Sequence, residues 1–161
     1  MTILSDQPIG NDSAPLAAVV LGWAGVVPFV VGAIGPMAIS DVGVAAFIAF
    51  ATSVYGALVL SFLGGIRWGM AMGPLYGSER TQGFVISILP PVAAWVSLIL
   101  SGFEGQALLI VAFLLQAWLD VRAVGEGRAP VWFAPLRIRL TAAAVVALIV
   151  TAIAEMVVLS G

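Results

Sequence analysis

The chain is 161 residues long, 62% of them hydrophobic and only 9% charged, with a net charge of −2. A soluble domain carries about a quarter of its residues charged, so a water-facing globule is excluded. At roughly 20 apolar residues per crossing, there is room for about five spans and no sizeable soluble domain.

Residues 1–14 (MTILSDQPIGNDSA) are polar, with Asp6 and Asp12 and no basic residue. Neither a secretory signal nor an arginine-rich presequence is expected. The stretch reads as a flexible cytoplasmic arm, with Asp12 or Ser13 capping a helix that Pro15 opens. From residue 15 to 160 a single transmembrane helical domain is expected. In the first span, 15–34, Ala14, Ala18 and Gly22 recur every four residues as a small-residue ridge. Pro28 predicts a kink and Gly35-Pro36 an end, with Ser40-Asp41 as the cap of the next helix.

The second span, 42–66, is the most informative. Ala57, Ser61 and Gly65 form a second small ridge for helix packing, and Arg67 and Trp68 then meet the headgroup zone. A turn-rich loop leads to the third span, 83–100, which Pro90-Pro91 are expected to break or bend sharply. After a tight turn over 101–105, the fourth span, 106–119, is short, and Ala112, Gln116 and Asp120 share one of its faces. The longest loop, 121–136, holds Arg122, Glu126, Arg128 and an aromatic foot, Trp132-Phe133, between prolines. The fifth span, 138–159, follows Arg137 and Arg139 and carries a stripe of Ala143, Ala147, Thr151 and Glu155. The expected fold is all-α, a bundle of about five transmembrane helices.

Cysteine, histidine and lysine are absent. That argues against disulfides, thiolate nucleophiles, histidine-held metals and Schiff-base chemistry. No catalytic, cofactor-binding or metal-binding residue is expected, no cofactor is implied, and the small, scattered charge offers nothing to nucleic acid. All six arginines lie at the second and fourth loops or at span ends beside them. The positive-inside rule therefore puts the N-terminus in the cytoplasm and the C-terminus outside.

Each polar group has a plain reading and a sharper one. Arg67 is a topology anchor reaching the phosphates, or an ion-pair partner of Asp120 at the same depth. Reversing both charges together tests the pair. Gln116 is interhelical glue. Glu155, near the outer interface, is a lesser candidate for proton or cation handling. Arg122, Arg128, Arg137 and Arg139 together are candidates for an anionic lipid headgroup. The Gly64-Gly65 run follows a membrane helix rather than a strand and lacks the Gly-Lys-Ser/Thr of a phosphate loop. Pro90-Pro91 fits a packing kink better than the broken helix of a transporter, because only one such break is visible.

The stretch YGALVLSFLGGIRWGMAMG, the break LPPVAAW, the AWLD of the fourth span and the PVWFAPLRIRLT opening the fifth resemble the transmembrane protein 69-like family. SFLGGIRWG with PLRIRLT is the most specific part, and the likeness covers nearly the whole chain after the arm. The resemblance implies a small multi-span inner-membrane protein of a family without known activity. The missing presequence favours a bacterial inner membrane. The expected role is a non-catalytic accessory subunit or assembly factor. Its expected partners are the lipid bilayer and other membrane subunits or further copies of itself. The alternative is a small oligomeric transporter or channel for a small solute, ion or proton. An integral enzyme acting on lipids or quinones comes third.

Overall fold

A computed structural model describes residues 13–100 and 102–160; most of the expected arm, the first residue of the expected turn, Ser101, and Gly161 lie outside the described residues. Helices α1 (Leu16–Ala24) and α2 (Val27–Ala38) make the first crossing in two pieces. Pro28 sits in the first turn of α2, where a missing N–H costs nothing, and the helix is interrupted just before it at Gly25-Val26, two residues whose backbone stays in the helical region. The Gly25 carbonyl accepts a hydrogen bond of 2.9 Å from the Tyr55 hydroxyl. Gly35-Pro36 does not end the helix as expected. Proline removes one backbone bond near the end of α2, and the helix continues to Ala38 with Pro36 buried.

Helix α3 (Val42–Met72) has 31 residues and opens at Asp41, whose carboxylate accepts from the Val44 N–H at 2.9 Å. Its buried positions fall three or four residues apart, from Ala45, Ala49 and Thr52 through Gly56, Leu60 and Gly64 to Arg67 and Ala71. It packs against α2, α4 (Arg80–Leu100), α5 (Gly102–Gly125) and α6 (Phe133–Ser160), and is the central pillar. A 3-10 turn, Pro74–Glu79, joins α3 to α4. Five segments are long and apolar enough to cross a membrane, and the described residues contain no strand. The protein is an all-α polytopic bundle.

Two further expectations need correction: the break in the third span and the register of the small-residue ridge. The helix α4 runs through Pro90-Pro91 without interruption. The proline pair leaves the Ile86 and Ser87 carbonyls without their helical donors. Across from them lies Gly64 of α3, where a Cβ would come within 2.6 Å of the Ser87 oxygen and 2.8 Å of Pro91. A bare Cα therefore lets the two backbones close over the gap, as membrane helices allow where a neighbour covers the freed groups. The small ridge also lies one residue away from the expected register. Ala57 is buried and Ser61 bonds back to its carbonyl at 2.8 Å, but Gly65 faces outward with open space around it, and Gly64 makes the close approach.

The fourth and fifth spans are longer than expected, Gly102–Gly125 and Phe133–Ser160 in place of 106–119 and 138–159. α5 reaches from Gly102 past Arg122, and the loop that follows is only residues 126–132. In the centre, Phe29, Leu60, Leu109, Phe113 and Leu148 interlock. Phe29 stands edge-on to Tyr55 at 5.2 Å and to Phe113 at 6.0 Å, the arrangement that ring quadrupoles favour. Phe47, Phe62 and Trp95 point out of the bundle, as a lipid face requires.

Candidate functional site

The same three- and four-residue spacings that bury apolar side chains also carry charge into the bundle. On α3, Arg67 follows Leu60 and Leu63 on the inward face. On α5, Asp120 follows Leu109, Phe113 and Gln116, and on α6 Arg137 precedes Thr141, Ala144 and Leu148. The three charged residues lie near the same end of the bundle, about 7 Å along the axis from the end of α3 or α5 at 1.5 Å per residue.

They meet in one buried cluster. Arg67 Nη2 donates to Asp120 Oδ1 at 3.0 Å, and Arg137 Nε donates to Oδ2 at 2.9 Å. Gln116 Nε2 donates to Oδ1 at 2.8 Å from one turn away. Arg67, Arg137, Asp120 and Gln116 are all buried. Two guanidiniums thus share one carboxylate. The cluster carries a surplus positive charge, in surroundings where charge is poorly solvated. Arg67 Nε, Arg137 Nη2, Gln116 Oε1 and the Thr141 hydroxyl find no hydrogen-bond partner.

Toward the loops Arg122 and Arg128 are matched. Arg122 Nε donates to Glu126 at 2.7 Å, and Arg128 pairs with Glu126 at 3.1 Å and with Glu79. Arg128 also lies over the Tyr76 ring and Arg122 over Trp118. The hydrogen bond from Arg122 holds the Glu126 carboxyl below its usual range, with Arg128 adding attraction. A polar cleft of about 200 Å³ lies among Arg67, Gln82, Arg128 and these acids.

At the opposite end, half-buried Glu155 accepts from Gln106 Nε2 at 2.8 Å. These two, with Ser53 and Ser97, border a cavity of about 370 Å³. Gly105 keeps α4 and α5 close here, since a Cβ on it would fall 2.2 Å from the Ser97 carbonyl oxygen.

The four arginines expected at one headgroup do not converge. Arg122 and Arg128 belong to the loop network, Arg137 to the buried cluster, and Arg139 is exposed. Arg137 as a third member of the Arg67–Asp120 pair was missed, as was Gln106 beside Glu155. The signal for Arg137 was present in the spacing Arg137, Thr141, Ala144, Leu148, which is one helical stripe. Its place at a span end suggested an interfacial anchor instead.

A family described as protein of unknown function (DUF3429) matches residues 14–153. The chain is 34% identical over 138 residues to Transmembrane protein 69 of Xenopus tropicalis, covering 84% of this chain and 53% of that protein. It is 27% identical over 143 residues to Transmembrane protein 69 of Mus musculus, covering 88% and 58%. The chain spans about half the length of the curated relatives it matches. No solved structure matches.

Proposed function

The chain belongs to the family described as protein of unknown function (DUF3429), and from that premise we propose that it is a non-catalytic accessory subunit or assembly factor of a larger membrane complex. The observation that carries this reading is the direction of the buried charge. Asp120 turns both oxygens to arginines of other helices, so the ionic groups tie α3, α5 and α6 to one another. An acid–base pair facing a substrate cavity would be arranged differently.

The setting we propose is a bacterial inner membrane, with the arginine-bearing end toward the cytoplasm. All six arginines sit at that end of the bundle, and the acids Asp41, Glu104 and Glu155 sit at the other. The partners are then the bilayer and neighbouring membrane subunits.

Purification in mild detergent at native expression level, followed by mass spectrometry, tests the role. One stoichiometric membrane partner is the expected result. A clean homo-oligomer with no partner overturns it. That outcome leads to the second reading, an oligomeric transporter or channel, which the cavity beside Gln106 and Glu155 favours.

A further inference from the structure

Between the break in the first crossing and α6 lies a cavity of about 210 Å³. Gly22 and Gly25 line it from the first crossing, Tyr55 from α3, and Arg137 and Thr141 from α6. A Cβ on Gly22 would sit 2.7 Å from the end of the Leu140 side chain, so glycine there preserves the space. Leu21 and Phe62, 71% and 67% exposed, also belong to the lining and set its mouth toward the lipid face.

The walls are otherwise apolar, and their few polar groups differ in how they are used. The Tyr55 hydroxyl is engaged by the Gly25 carbonyl. Arg137 Nη2 and Thr141 Oγ1 are not engaged at all, although both residues are more than nine-tenths buried. They stand one turn apart on the same face of α6. Arg137 also belongs to the cluster in which two guanidiniums share one carboxylate. Two idle donors beside a surplus positive charge, just behind the wall of an apolar cavity, suit an oxyanion attached to a hydrocarbon chain.

We propose that this cavity receives the head of an anionic amphiphile from the bilayer, with its oxyanion on Arg137 and Thr141. A phospholipid phosphate and a fatty-acid carboxylate share that chemistry. The volume is below the 300–1,000 Å³ usual for whole drug-sized ligands. Only the head and first methylenes therefore enter, and the chain leaves past Leu21 and Phe62. Both donor atoms lie behind the apolar lining, so a flexible side chain such as Leu140 turns aside as the head arrives.

Native mass spectrometry of the delipidated full chain in mild detergent tests this with four probes. These are dioleoylphosphatidylglycerol, oleate, the uncharged dioleoylglycerol and inorganic phosphate. The expected result is one retained molecule per chain of an anionic amphiphile, at least tenfold tighter than dioleoylglycerol, with phosphate alone not retained. Phosphatidylglycerol or oleate as the better probe identifies the head as phosphate or carboxylate. Thr141→Val removes a hydroxyl that has no partner, so the unfolding temperature of the lipid-free chain should hold or rise. Amphiphile binding in that variant should weaken about tenfold, the order of one hydrogen bond to a charged group. Gly22→Val narrows the mouth from α1, a helix with no buried residue of its own, and should weaken binding likewise. Retention of neither anionic amphiphile, equal retention of dioleoylglycerol, binding of phosphate alone, or indifference to both variants overturns the proposal.

Discussion

Asp120 holds Arg67 on one oxygen and Arg137 on the other, with Gln116 adding a third donor. Removing one partner from a buried ionic group is far more costly than the group's net stabilising effect, because the charge left behind stays desolvated. Asp120→Asn keeps the shape and leaves two guanidiniums without an anion. It should destabilise the bundle by about 3–5 kcal/mol, read as a fall in unfolding temperature in detergent. A change within experimental error would show that the arginines reach water and that the cluster is not closed. Arg137 also alters what a charge reversal can do. Exchanging Arg67 and Asp120 sets a new arginine against Arg137, so only partial rescue is expected from the double reversal. The pairing of Arg67 with Asp120 could be inferred from depth alone. Arg137 was harder to place: its stripe with Thr141, Ala144 and Leu148 is visible, but whether that stripe faces lipid or the interior depends on how α6 rotates against α5.

Among the elements, α3 and α4 show how a sequence signal can be right in kind and displaced in place. Small residues did mark close helix approach, but two adjacent glycines left the register open by one residue. The face that also buries Leu60, Leu63 and Arg67 selects Gly64. Gly64→Ala should cost about 1–3 kcal/mol by overpacking against a backbone carbonyl. Gly65→Ala should be neutral, or stabilising by up to about 1 kcal/mol from helix propensity. Thermal unfolding of the two variants side by side checks the register, and equal losses would refute it. Helix number was legible because apolar runs of sufficient length are unambiguous. Helix ends were not, since Arg122 or Arg80 continues a helix through the headgroups as readily as it ends one. Whether the two prolines of α4 would break the helix was open for a related reason. Their local effect is a broken ladder, but Gly64 on a distant part of the chain decides whether the helix stays continuous.

At the scale of the whole molecule, charge divides the bundle into two ends: all six arginines lie near the loops 73–79 and 126–132, and among the described residues the other end carries only the acids Asp41, Glu104 and Glu155. The chain has no cysteine, so single cysteines report sidedness without background. A membrane-impermeant maleimide should label Ser40→Cys in intact spheroplasts and Ser78→Cys only after permeabilisation. The reverse pattern would invert the orientation, and labelling of both from one side would contradict an odd number of crossings between them.

The order in which the cluster's members are synthesised has its own consequence. Arg67 leaves the ribosome first, close enough to the end of α3 to stretch toward the phosphates while it waits. Asp120 comes 53 residues later and makes a neutral pair with it. Arg137 follows only 17 residues after that, at the start of the last helix. In a nascent bundle of four crossings the buried pair of Arg67 and Asp120 is therefore electrically balanced. The last helix brings in the extra positive charge, and it docks on an aspartate that already has a partner.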